Sequence, residues 1–298
     1  MRMNRTARLS GALCALLSAP SALADMELNM PRGVTPITNE VYDLHMLVFW
    51  ICVGIGVVVF GAMFYSVFAH TKKKNPTPAT FSHSTTAEVI WTTIPIIILV
   101  VMAVPAAKTL VKIEDSGNPD MTIKVTGYQW RWHYNYLEEG VEFFSALDAA
   151  SNEARQLESG INPATVDNYL LDVDKAVVVP VDTKVRLLVT ANDVIHAWWV
   201  PELSGKRDAI PGFVNEMWFK ASETGVYRGQ CAELCGYDHG FMPIVVKVVD
   251  EVDYVAWLGD QGVENPSRFA RKINAGAEKN AGLTQDAAPA VTGQGDAR

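Results

Sequence analysis

Residues 229–243, GQCAELCGYDHGFMP, put two cysteines, a glutamate, a histidine and a methionine within a dozen positions. Two cysteines alone in an exported domain ordinarily oxidise, so a Cys231–Cys235 disulfide is the default reading. Its neighbours favour a metal instead. His239 follows Cys235 by four residues and Met242 follows His239 by three, so one loop offers thiolate, imidazole and thioether together. Soft sulfur with imidazole suits copper, and a weak methionine ligand is typical of electron-transfer copper. Zinc would take the cysteines and the histidine but has little use for the methionine. Calcium or magnesium would want a cage of carboxylates that this loop lacks.

A mononuclear electron-transfer copper site needs one cysteine and two histidines, so here there is one cysteine too many and one histidine too few. Apart from His239, residues 113–262 contain only His133 and His196. His196 stands in TANDVIHAWWVPEL, at the start of an aromatic segment. Alone it would read as a structural histidine; beside the sulfur loop it reads as a ligand. Two thiolates, two imidazoles, one thioether and one backbone carbonyl would suffice for two copper ions bridged by both sulfurs. Such a site shares one unpaired electron, changes little in geometry on reduction, and performs no bond chemistry. The disulfide remains the rival.

The rest of the 298-residue chain must position these groups. Its opening, MRMNRTARLSGALCALLSAPSALA, has three arginines, a short apolar run and a small-x-small ending, the pattern of a secretory signal peptide cut after Ala24. Residues 25–43 read as an exported lead-in. Two apolar stretches, about 44–68 and 89–111, each approach the ~20 residues that span a bilayer, giving a transmembrane hairpin over 44–112. The loop near 70–86 carries Lys72, Lys73 and Lys74, which assigns it to the cytoplasm. Both mature termini then face the exported side. Residues 113–262 form the exported domain, and 263–298, rich in Ala, Gly, Gln and Asp, read as a disordered tail.

The exported segments MTIKVTGYQWRWHY, KAVVVPV, KVRLLVTA, HAWWV, NEMWFKA, VYRGQ and MPIVVKVVD read as short strands of a sandwich or barrel. A short helix over Glu251–Leu258 closes it. Residues 137–175 are polar and poorly periodic, a long surface insertion. The domain holds 24 acidic against 11 basic side chains. That balance repels nucleic acid and attracts a basic partner, although ordinary solubility is the plainer explanation. In GYQWRWHYNY, alternation groups Trp130, Trp132, Tyr134 and Tyr136 on one face, which by itself describes an aromatic core. Glu88 sits at the loop end of the second apolar stretch, either as an interfacial anchor or as a proton-uptake group.

Over most of residues 35–260 the chain resembles subunit II of cytochrome c oxidase. The resemblance rests on AEVIWTTIPIIILVVMAVP, GYQWRW, NDVIHAWWVPEL, KRDAIPG and GQCAELCGYDHGFMPIVV. It implies an all-β, cupredoxin-like Greek-key barrel behind the hairpin, anchored in the bacterial inner membrane with the barrel in the periplasm. It also implies the binuclear copper centre CuA, with two copper ions held by His196, Cys231, the backbone carbonyl of Glu233, Cys235, His239 and Met242. The Glu233 carboxylate would ligate a magnesium ion shared with subunit I. Trp130 would be the entry point for electrons from cytochrome c, Asp193 and Asp208 docking acids for that partner, and Glu88 the mouth of the K proton pathway. Electrons would pass on to haem a in subunit I, where oxygen is reduced and protons are pumped; subunit III would be a further partner. Arg131 and Asn135 replace the tyrosine and acid common in relatives, and Phe213 replaces a frequent arginine after DAIPG, so part of the usual docking charge is altered.

Overall fold

The computed structural model describes residues 29–77 and 79–264. The expected signal peptide and most of the expected tail lie outside these residues. Two long helices come first: α1, Pro36–Ala69, and α2, Thr85–Ile113. Both are long and apolar enough to cross a membrane, and their apolar central turns are not buried in the protein. Side chains such as Phe60, Phe64, Ile97 and Leu99 lie exposed, so the helices need lipid around them.

The first helix begins eight residues before the expected hairpin. Thr35 and Thr38 form a reciprocal capping box there, and Pro36 occupies the first turn, where its missing N–H costs nothing. The opening turns are polar, so a search for apolar runs misses them. Ser84 caps α2, with Glu88 in its first turn and Lys112 in its last, both suited to the helix dipole. At the far end of the hairpin the Lys112 ammonium reaches Glu40 across the helix pair at 2.6 Å.

The β-domain contains a five-stranded sheet in the order β3-β2-β1-β5-β8 and a three-stranded sheet in the order β4-β10-β9. In sequence these are β1 Met121–Tyr128, β2 Arg131–Tyr136, β3 Val141–Ser145, β4 Val177–Pro180, β5 Val185–Ala191, β8 Asn215–Phe219, β9 Gly225–Gln230 and β10 Pro243–Val249. A short pair, β6 His196–Trp198 and β7 Arg207–Ala209, lies at one end. Strand alternation turns Ile123, Val125, Leu187 and Val189 inward to meet Val177, Val179, Ile244 and Val246 in one core. A closing helix, α4 (Glu251–Asp260), adds Tyr254 and Leu258, both fully buried. A membrane hairpin followed by a cupredoxin-like β-domain is therefore the architecture, as the family resemblance implied.

Two details differ from the sequence reading. MTIKVTGYQWRWHY is a hairpin, β1 then β2, turning at Gln129–Trp130. Trp132, Tyr134 and Tyr136 fill the core, whereas Trp130 is only partly buried at the turn. The 137–175 insertion also carries regular structure: β3 pairs with β2, and a short helix, α3 (Ala149–Ala154), follows under an Asp148 cap.

The β-domain is mounted on the hairpin at two places. The Trp218 indole donates to the Lys112 carbonyl at 3.2 Å, and Arg207 pairs with Glu114 at 2.8 Å, both at the end of α2. Ahead of α1, Val34 N–H donates to the Glu202 carbonyl at 2.9 Å, and Ser222 donates to the Val34 carbonyl.

Candidate metal centre

Residues 231–242 form the loop between β9 and β10. Antiparallel pairing of Gln230 with Pro243 closes its base, and Cys231 N–H donates to the Met242 carbonyl at 3.3 Å to extend that ladder. Strand β6 lies alongside: Ala232 N–H donates to the Ala197 carbonyl at 3.0 Å and Gln230 N–H to the Trp199 carbonyl at 3.2 Å. The second contact requires glycine at 229, because a Cβ there would stand 2.0 Å from the Trp199 carbonyl oxygen. These bonds carry His196 from a different strand to the sulfur loop. Gly127 of β1 leaves the imidazole its space, since a Cβ there would meet His196 Cδ2 at 2.7 Å.

Both cysteines are free and buried, with their Sγ atoms 3.8 Å apart. One histidine lies beside each sulfur. His196 Nδ1 is 3.9 Å from Cys231, and His239 Nδ1 is 3.5 Å from Cys235. The Glu233 carbonyl is 3.4 Å from Cys231 Sγ, and Met242 Sδ is 3.5 Å from Cys235 Sγ. The donor atoms of His196, Cys231 and Cys235 fall within 4.8 Å of one another. A metal bonded to thiolate at about 2.3 Å can touch both sulfurs at this separation, and donors lie on either side of the pair. The donor set therefore fits soft, thiolate-bridged metal. Cys52, alone on α1, takes no part.

Further contacts orient the candidate donors. His196, with 0% of its surface exposed, holds its outer Nε2 2.9 Å from Asp193 Oδ1. That carboxylate also accepts the N–H groups of Val194 and Gln129, each at 2.7 Å. The Gln129 amide and the Trp130 indole both donate to the Cys235 carbonyl, at 2.9 and 3.3 Å. Gly236, with φ +120°, gives these side chains room; a Cβ would lie 3.0 Å from Gln129 Nε2.

Electrostatics separate the two thiols in the metal-free chain. Burial raises the Cys231 thiol, but hydrogen bonding centred on His196 outweighs it and brings the group down to about 7. Burial and the neighbouring Cys231 thiolate push Cys235 up to about 12. Burial opposes a charge on His196, yet Cys231 and Asp193 together raise it. Burial likewise opposes ionisation of Asp193, and its bonds to His196, Val194 and Gln129 lower it regardless.

The structure thus brings together all six expected donor residues. Trp130 touches the centre through Cys235. Asp193 lies against His196, and its oxygens are engaged there. Asp208 is exposed on β7, Glu233 is exposed on the loop, and Glu88 is exposed in the first turn of α2, at the far end of that helix from the β-domain. Sequence reasoning missed Gln129, Gly127 and the pair Arg155–Asp238. The last joins the insertion to the metal loop, with Nη1 to Oδ1 at 3.1 Å and Nη2 to Oδ2 at 3.3 Å.

Comparison with known proteins gives a consistent result. Residues 121–249 match the family model "Cytochrome C oxidase subunit II, periplasmic domain", and residues 24–109 match "Cytochrome C oxidase subunit II, transmembrane domain". A Rickettsia prowazekii (strain Madrid E) protein described as "Probable cytochrome c oxidase subunit 2" is 44% identical over 233 residues, covering 78% of this chain and 71% of the relative. "Cytochrome c oxidase subunit 2" of Cereibacter sphaeroides is 38% identical over 237 residues, covering 76% of this chain and 77% of the relative. Among solved structures, the periplasmic domain of subunit II of cytochrome oxidase from Bradyrhizobium japonicum matches with 41% identity and a TM-score of 0.43, covering 49% of this chain and 96% of that one.

Proposed function

The chain belongs to the cytochrome c oxidase subunit II family, and on that premise we propose that it is the electron-entry subunit of a haem–copper oxidase. When bound, a binuclear CuA centre would supply one-electron transfer from cytochrome c towards haem a of subunit I. His196, Cys231, the Glu233 carbonyl, Cys235, His239 and Met242 would hold two copper ions. The observation that carries this reading is the pair of free buried thiols 3.8 Å apart with an imidazole beside each. Oxygen reduction and proton pumping belong to subunit I, so the isolated chain has no oxidase turnover.

The remaining residues take roles around that centre. Trp130, partly exposed and bonded to the Cys235 carbonyl, is suited to couple the docked cytochrome to the copper. The exposed Asp208 and the outer edge of Asp193 would attract a basic cytochrome surface. The exposed Glu233 carboxylate would reach a magnesium ion at the boundary with subunit I. Glu88 would take up protons for the K pathway from the opposite side of the membrane. The lysine-rich loop then lies in the cytoplasm and the β-domain in the periplasm, in a complex that also includes subunit III.

The test is copper loading of the full chain in detergent, followed by metal analysis and spin resonance. Two copper ions per chain are expected, with one unpaired electron spread over both, and Cys231→Ser or Cys235→Ser abolishes that signal. A single tightly held zinc, or thiols lost to a disulfide that resists reduction, overturns the reading.

A further inference from the structure

The two histidines beside the sulfurs are held in different ways. His196 is oriented through its ring, by the Asp193 carboxylate on Nε2. His239 presents Nδ1 to Cys235 Sγ at 3.5 Å, and it also hydrogen-bonds Cys231. Its backbone is pinned instead. Asp238, just before it, accepts both terminal nitrogens of Arg155 in a fork. Phe241, two residues after it and next to Met242, lies under the same guanidinium, with Cζ 4.3 Å from the ring centroid. The remaining nitrogen, Nε, donates to Asn152 at 2.8 Å. The Arg155 and Asp238 side chains are only 20% and 19% exposed, so water screens the pair less than it would on an open surface.

Arg155 caps the end of α3 in the 137–175 insertion, and the insertion is itself anchored elsewhere. Leu170 N–H donates to the buried Ser151 hydroxyl at 3.1 Å, Ala146 N–H donates to Asp174 at 2.8 Å, and Arg228 pairs with Asp172 at 3.3 Å. The clamp therefore has a fixed base.

We propose that Arg155 is a positioning residue of the metal centre: by gripping Asp238 and covering Phe241, it holds the loop on both sides of His239 and presents that imidazole to Cys235. The inference rests on the two-copper reading and adds to it a part of the chain that supplies no ligand. Lysine cannot replace this arginine, because an ammonium has neither the fork nor the flat face.

The test uses the copper-loaded full chain in detergent, with spin resonance, copper release to a chelator, and thermal unfolding of the metal-free form. Outer contacts to metal ligands are typically worth about 10–100-fold in affinity. Arg155→Ala is therefore expected to speed copper release by roughly that factor and to shift the hyperfine pattern. Arg155→Lys should recover only part of the loss. Asp238→Asn should reproduce it, with the double variant little worse than either single one. Glu142→Gln alters an exposed acid of the same insertion that belongs to neither the clamp nor its anchors, so it is expected to leave release and spectrum unchanged. An unaltered spectrum and release rate in Arg155→Ala overturns the clamp, and so does an equal effect from Glu142→Gln. If Arg155→Ala does not fold, Arg155→Lys and Asp238→Asn decide by the same two readouts. A parent chain that takes up no copper overturns the two-copper reading itself.

Discussion

Nε2 of His196 lies 2.9 Å from Oδ1 of Asp193, three residues earlier, and this bond turns Nδ1 towards Cys231. An acid that resembles a docking residue is thus also the partner that orients a candidate donor. Asp193→Ala should weaken copper retention by about 10–100-fold and alter the spin-resonance spectrum. Asp208→Asn should leave both unchanged and only slow association with cytochrome c at low salt. Equal copper retention in the two variants would remove Asp193 from the support of His196. The metal-free chain offers a separate readout. Because the folded Asp193 carboxyl is lowered, its stabilisation is present above the ordinary carboxylate pKa and is lost as pH falls through the lowered value.

Trp130 joins the Cys235 carbonyl to the surface of the β-domain. Trp130→Phe should leave cytochrome binding and its salt dependence nearly unaltered. Electron transfer within the complex should slow by more than about tenfold, equivalent to roughly 1.4 kcal/mol in the barrier. Flash-initiated kinetics measure this directly, with thermal unfolding of the same variant as control. Normal kinetics with a lowered melting temperature would make Trp130 a packing residue only.

The glycine at position 127 tests how tightly the imidazole is housed. A Cβ there would lie 2.7 Å from Cδ2 and 2.9 Å from Cγ of His196, and β1 is held between β2 and β5. The ring must therefore yield. Gly127→Ala should cost about 1–3 kcal/mol through overpacking and release copper, which chelator competition and denaturant unfolding would report together. Wild-type copper affinity in this variant would show that His196 can bind from another rotamer.

Metal loading should expel protons. Cys235 is held protonated up to about 12 and Cys231 to about 7 in the metal-free chain, whereas thiolates are what bind metal. The apparent copper affinity should rise with pH, by about tenfold per unit for each proton released across roughly pH 6 to 9. Titration of weakly buffered metal-free protein with copper would register the acid released. A pH-independent affinity over that range would mean that both thiols are already ionised.

Glu88, in the first turn of α2, lies at the opposite end of that helix from the β-domain. Glu88→Gln in the assembled oxidase should slow turnover while copper content and cytochrome binding stay normal. Full proton-coupled turnover in this variant would leave Glu88 as an interfacial anchor.

Legibility in the sequence tracks how local each feature is. The sulfur loop could be read because its donors fall within a dozen residues, and the core face of β2 because Trp132, Tyr134 and Tyr136 alternate. The turn at Gln129–Trp130 carries no Gly, Pro, Asn or Asp to announce it, so the sequence presents two strands as one segment. His196, 35 residues from Cys231, is legible only indirectly, because the loop lacks a second imidazole and residues 113–262 offer few others. The Arg155–Asp238 pair spans 83 residues from within a segment without periodicity, and no sequence pattern points to it. The three-residue spacing of Asp193 and His196 was visible, but spacing alone does not say that the carboxylate faces the ring.

A domain carried on the end of one helix can swivel about that helix like a flag on a pole. Here the strap at Val34, bonded to Glu202 and Ser222, is a second mooring beside the one at Lys112 and Glu114. Two moorings remove the free azimuth of the β-domain. Which flank of it looks down on the bilayer, and which looks out to solution, is fixed within this one chain.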